Sequence, residues 1–127
     1  MNTKLGRAVI LVEDYDKALD FYQKNFQCKL LYDSQTPDGQ RLIHIAFSDD
    51  DDKGICLLKA DPSELPVGKQ TGGAPTLVIF TDAIEQLYSY VKKNGVKIAE
   101  PLVSAKDNKL FHCLDLYGNR LTVVQRK

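Results

Sequence analysis

No charge of either sign dominates this sequence: 17 Lys and Arg stand against 17 Asp and Glu in 127 residues. Nucleic-acid binders carry a basic surplus, so that class of partner is not expected. No apolar run approaches the roughly 20 residues of a membrane-spanning helix, so no membrane partner is expected either. The opening MNTKLGR has no apolar signal core behind it, which points to a cytoplasmic protein. There is also no CxxC pair. Cys28, Cys56 and Cys113 lie far apart and are odd in number, which suits neither a disulfide framework nor a zinc site. Reduced, mostly buried thiols are the expectation.

What is present is an ordinary globular composition, 43% apolar and 27% charged, on a chain long enough for one real core. The chain also repeats itself. VEDYDKALDFYQKNFQCKL (12–30) sets against FTDAIEQLYSYVKKNGVKI (80–98) without a gap, at a constant offset of 68. Asp14 meets Asp82, Leu19 meets Leu87, Tyr22 meets Tyr90 and Lys29 meets Lys97.

Each copy has the same physical layout. An aliphatic strand comes first, AVILV (8–12) or TLVIF (76–80). Asp14 or Asp82 then stands as an N-cap, able to accept free amide hydrogens of the first helical turn. The helix that follows is amphipathic: Ala18, Leu19, Tyr22 and Phe26 make one apolar face, Ile84, Leu87, Tyr88 and Val91 the other. Asn94-Gly95 marks a left-handed C-cap for the second helix. Three short strands follow each helix: 28–33, 41–48 and 54–60, then 96–103, 109–116 and 119–126. Turns at Pro37-Asp38-Gly39, at 48–54 and at Tyr117-Gly118-Asn119 join them. The Pro- and Gly-rich stretch ADPSELPVGKQTGGAP (60–75) reads as a linker.

The expected fold is therefore α+β, with tandem βαβββ modules in a single domain over 1–127. Module one covers about 5–60, the linker about 61–74 and module two about 75–126. One helix per module covers one sheet face, so the other face must curve around something or meet a partner.

This layout resembles the vicinal oxygen chelate superfamily, the glyoxalase / bleomycin-resistance protein / dioxygenase group. The resemblance rests on VEDYDKALDFYQKNFQCKLL (12–31) and CLDLYGNRLTVVQ (113–125). The chain departs from the family pattern at Gln27-Cys28 and at Leu116-Tyr117. The resemblance implies paired modules whose curved mixed sheets surround a cavity. It also implies a homodimer and, in metal-dependent members, a divalent ion held by His, Gln or Glu from the first and fourth strands of each module.

Carried over residue by residue, the family's ligand positions fall on Arg7, Leu57, Thr76 and Thr122. Arg offers no lone pair and Leu has no donor atom. Two neutral Thr hydroxyls do not hold a transition metal that prefers imidazole or carboxylate. A fixed positive charge about 4 Å from a dication would cost roughly 8 kcal/mol at an effective dielectric of about 20. No metal and no cofactor is expected.

With those four positions facing inward, period-two alternation implies the rest of the lining. Val9 and Leu11 join Arg7; Ile55 and Lys59 join Leu57. Val78 and Phe80 join Thr76; Arg120 and Val124 join Thr122. Ala8, Ile10, Val12, Leu77, Ile79, Leu121 and Val123 would face the helices. Apolar walls with a few placed polar groups suit a small-molecule site. Arg7 would bind a carboxylate or phosphate bidentately, or else pair with an acidic side chain across the sheet or lie at the rim.

His44 and His112 are separated by the same offset of 68. A metal pair, plain strand or dimer-interface positions, and an anion-binding or acid/base role all remain open for them. The Asp49–Asp52 run lacks the glycine and distal Glu of an EF-hand loop, so a solvated hairpin loop is expected. GKQTGG (68–73) has no Walker spacing, and two strand histidines make no Ser-His-Asp arrangement.

The leading expectation is a metal-free protein of the bleomycin-resistance type. It would bind or sequester a small organic, possibly anionic, ligand through Arg7, His44, Leu57, Thr76, Phe80, His112, Arg120 and Thr122. The alternative is a metal-dependent glyoxalase-like lyase, isomerase or dioxygenase. A third is a structural or regulatory module with a filled cavity.

Overall fold

A computed structural model describes residues 1–49 and 53–127, which divide into two compact units, Met1–Val67 and Gly68–Lys127. In the first unit the order is β1 (Arg7–Val12), α1 (Tyr15–Phe26), β2 (Lys29–Gln35), β3 (Arg41–Ala46) and β4 (Gly54–Lys59). In the second it is β5 (Pro75–Phe80), α2 (Ile84–Lys93), β6 (Ile98–Ser104), β7 (Asn108–Leu114) and β8 (Arg120–Arg126). Both units are βαβββ, and the class is α+β.

The four strands of each unit form one mixed sheet, ordered β1-β4-β3-β2 and β5-β8-β7-β6. The first and last strands of each unit run parallel and the other pairs antiparallel. The parallel pair needs a long crossover, and the helix and two strands between supply it.

The registers of the two sheets match closely. Tyr32 pairs with His44 in one and Glu100 with His112 in the other, 68 residues on. Even the irregularities repeat, with a register shift just before Tyr32 and another just before Glu100. Farther along, the offset changes. Seven residues separate β3 from β4 but five separate β7 from β8. The fourth strands therefore correspond at an offset of 66, with His44 facing Cys56 and His112 facing Thr122.

Each core lies between a sheet and its helix. Ile10, Val12, Ile43, Ile45, Ile55 and Leu57 are buried together with Ala18, Tyr22 and Phe26 of α1. Ile79, Phe111, Cys113, Leu121 and Val123 are buried with Ile84 and Val91 of α2. Tyr22, Phe26 and Phe47 add edge-on and tilted ring contacts at 6.1–6.3 Å between centroids.

The helices start differently. Asp14 caps α1 and its carboxylate accepts the Lys17 amide hydrogen at 3.0 Å. That bond, the largest cause, holds its pKa below the usual carboxylate value. The expectation that Asp82 caps α2 fails, because the helix starts one residue later. Ala83 is the N-cap and has no side-chain oxygen to offer. Gln125 of β8 substitutes by accepting the Ile84 amide hydrogen at 2.8 Å. At the other end Asn94 stays right-handed, and Gly95 takes the left-handed step at φ +86°.

The turn between β7 and β8 is held by one carboxylate. Asp115 Oδ1 accepts the amide hydrogens of Tyr117, Gly118 and Asn119 at 2.9–3.0 Å, and Oδ2 accepts the Asn119 side-chain amide. Gly68 packs against this turn so closely that a Cβ there would lie 1.9 Å from the Tyr117 carbonyl oxygen.

Candidate functional site

A helix covers one face of each sheet, so the chemistry must be sought on the face left open. Residues paired across a ladder point to the same side. The strand registers then identify one row across each open face. In module one the row is Tyr32, His44, Cys56 and Val9. In module two it is Glu100, His112, Thr122 and Val78.

In module two these side chains form a polar network. Thr122 Oγ1 lies 2.8 Å from His112 Nδ1. His112 Nε2 lies 3.2 Å from Glu100 Oε2, and Arg120 Nη2 lies 3.1 Å from the same oxygen. Burial lowers the His112 pKa, Arg120 lowers it further and Glu100 opposes both. Together these favour the neutral ring over the charged one. The tautomer sets the direction of the Thr122 contact: a proton on Nε2, the nitrogen that faces Glu100, leaves Nδ1 to accept from the Thr122 hydroxyl. Apolar surface flanks the network, with Val78 57% and Phe80 59% exposed. The Arg126 guanidinium stacks 4.2 Å over the Phe80 ring.

Module one is less connected. The Tyr32 and His44 rings lie 5.1 Å apart at a tilt of 49°. Burial lowers the His44 pKa, and the positive charge of Arg7 adds to that. Burial raises the Cys56 thiol while Arg7 pulls it the other way. Arg7, the first residue of β1, thus sits electrically close to both, and its Nη1 donates to the Gly6 carbonyl at 2.7 Å.

The structure gathers Arg120, Thr122, His112 and, along the same face, Phe80. Arg7 and His44 share the open face of module one. Two expected lining residues stand elsewhere. Leu57 pairs with Ile10 and Ile43 on the helix-covered face and is fully buried. The expected inward phase of β4 is therefore corrected by one residue, and Ile55 and Lys59 move with Leu57. The family pattern placed the inward position at Leu57, but the register sets Cys56 opposite His44 just as Thr122 stands opposite His112. Thr76 is the extra residue of a bulge between Pro75 and Leu77, and its Oγ1 lies 2.7 Å from Thr71 Oγ1 in the preceding loop. Sequence reasoning missed Glu100, which lies opposite His112 between two register shifts of the β6–β7 ladder.

Neither row makes a set of metal ligands. Module one offers one imidazole and one thiol beside a fixed cation; module two offers one imidazole and one carboxylate already paired with Arg120. Among the described residues no three His, Cys, Asp or Glu side chains are grouped to hold an ion. The family's divalent ion does not fit these donors. Most of the Asp49–Asp52 run lies outside the described residues; Asp49 itself pairs with Lys29. The remaining thiols, Cys28 and Cys113, are free and buried, and burial pushes each up to about 12.

The sequence pattern of the Glyoxalase/Bleomycin resistance protein/Dioxygenase superfamily matches residues 4–123. An uncharacterized protein of Shewanella frigidimarina (strain NCIMB 400) is 26% identical over 128 residues, 98% of this chain and 95% of that one. Among solved structures, UcmS2 aligns with a TM-score of 0.81 at 19% identity, covering 98% of each chain. TnmS3, an antibiotic binding protein from Streptomyces sp. CB03234, aligns at 0.79 and 22% identity over 99% of this chain and 98% of its own. The genomically encoded fosfomycin resistance protein FosX from Listeria monocytogenes aligns at 0.69 and 15% identity, over 100% and 96%.

Proposed function

The chain belongs to the Glyoxalase/Bleomycin resistance protein/Dioxygenase superfamily, and from that premise we propose that it binds a small organic molecule without a metal. The observation that carries this reading is the Arg120–Glu100–His112–Thr122 network set among exposed Val78 and Phe80. It provides placed polar groups on an apolar surface, the usual composition of a small-molecule site. On the open face of module one, Arg7 is a polar group of its own, suited to a carboxylate or phosphate. A ligand of the antibiotic kind is supported by the fold shared with TnmS3, an antibiotic binding protein.

The protein acts as a homodimer in the cytoplasm in this reading. Three buried free thiols are consistent with a reducing compartment, and sedimentation at micromolar concentration tests the dimer.

A thermal-shift screen of antibiotics and aromatic acids tests the binding. A ligand at 100 times its dissociation constant adds about 2.7 kcal/mol. The expected result is a hit that stabilises the wild type and loses most of its effect in Thr122→Val or Arg7→Ala. The reading fails if no compound shifts the protein, or if hits shift both variants as they shift the wild type.

A further inference from the structure

Thr122 has two ways to hydrogen bond, and its neighbours choose between them. A hydroxyl has one hydrogen and two lone pairs. If the hydrogen is committed to His112, only lone pairs remain for anything arriving at the open face. If His112 were protonated on both nitrogens, Thr122 would accept from Nδ1 and its own hydrogen would be free instead. The state of the ring therefore decides what Thr122 presents.

The groups facing that ring settle the state. On β6 the Glu100 carboxylate lies 3.2 Å from Nε2, placed to favour a proton on that nitrogen. Arg120 on β8 lies 3.1 Å from the same carboxylate oxygen, so its charge partly cancels that of Glu100. On β5 the facing residue is Val78, which has no charge. On β7 itself the residues sharing the face beside His112 are Leu110 and Leu114. Burial and the Arg120 charge both work against a second proton on the ring, and Glu100 works for one.

We propose that Glu100, acting through His112, holds Thr122 as a hydrogen-bond acceptor, so that this site takes a ligand bearing a hydroxyl or neutral N–H group. Glu100 is then a positioning residue, and Thr122 the contact that discriminates. A carboxylate ligand has no hydrogen to offer these lone pairs and gains nothing from the contact. Thr122 is only 8% exposed beside the more open Val78 and Phe80. A small donor group at the tip of a flat apolar body fits that arrangement. This inference rests on the binding reading above but commits to one chemical class.

The test has two arms. In the first, the His112 ring nitrogens are observed by two-bond proton–nitrogen NMR at pH 7.5. The wild type is expected to show a protonated Nε2 and a bare Nδ1, and Glu100→Gln to lose that strict preference. A protonated Nδ1 in the wild type overturns the proposal. In the second arm, phenol, anisole and benzoate are titrated against the β7 and β8 amides. Phenol is expected to bind about fivefold more tightly than anisole, the scale of one hydrogen bond, and benzoate more weakly than either. Thr122→Val should erase the difference, and Thr122→Ser should restore it. Equal binding of phenol and anisole overturns the proposal while leaving the binding reading intact if other compounds still shift the protein. If neither these probes nor any compound in the screen binds, both fall.

Discussion

The two modules share strand order, register and even the site of a strand irregularity, yet their open faces carry different chemistry. Module one aligns Tyr32, His44, Cys56 and Val9; module two aligns Glu100, His112, Thr122 and Val78. The histidine is the shared element. In module two a carboxylate and a hydroxyl hold it on either side. In module one an aromatic ring and a thiol stand in those places, with Arg7 nearby. The helix-covered face stays apolar in both modules while the open face differs. That division explains how one duplicated unit hosts two distinct polar sites.

The largest expected effect tests the corrected register. Leu57→Ala should cost about 2–5 kcal/mol in a urea titration, as a fully buried core truncation does. Cys56→Ala should cost about 1 kcal/mol, since it removes a single sulfur atom from the open-face side rather than a branched side chain from between sheet and helix. A Cys56 variant weaker than the Leu57 variant would reverse the two faces.

Next comes the clamp in module two. Asp115→Ala removes the carboxylate that three backbone amides share, leaving Gly118 only the Asp115 carbonyl, and should lower stability by about 2–3 kcal/mol. Faster hydrogen exchange should concentrate in β7 and β8 and spare β1–β4; uniform acceleration would contradict a clamp confined to one module.

The helix starts give a smaller, opposite effect. Ala83→Ser supplies α2 with the side-chain acceptor that Asp14 gives α1 and should add about 0.5–1 kcal/mol. No gain in the thermal midpoint would mean that Gln125 already satisfies that end.

A still smaller effect lies in the pH dependence. Both histidines have folded pKa values below the unfolded value of about 6.5. Below that pH the unfolded chain binds more protons, so stability is full above 6.5 and falls as pH drops toward the depressed folded values. Removing His44 and His112 together should flatten this part of the curve. A rise in stability over the same interval would contradict the lowered values.

The last expected change is none. Nickel, zinc, manganese or iron added during growth should leave purified protein with far less than one ion per chain by elemental analysis. Stoichiometric metal would undo the donor-set argument in both modules at once.

Much of this comparison was legible before any coordinates. The offset of 68 predicted both helices, the two hairpins and the equivalence of His44 and His112. The inward phase of β4 rested on the family pattern, and nothing in GICLLKA distinguishes the faces, because Ile55, Cys56, Leu57 and Leu58 are all apolar. Asp82 misled for a similar reason: propensity favoured it as a cap, but Gln125, far away in sequence, took over the job. Glu100 was overlooked within KIAEPL because the edge strand there shows no clean alternation. Its partnership with His112 becomes readable only when the hairpin register is laid out.

The tight approach of Gly68 to the Tyr117 carbonyl has a practical consequence for anyone dividing the gene between its halves. The final stretch of the linker travels with module two, because that glycine is fitted to its last turn. A split placed before Gly68 keeps the fitted pair in one polypeptide. A split placed after it would strip the turn of its neighbour and leave the second half with a gap where a backbone had been.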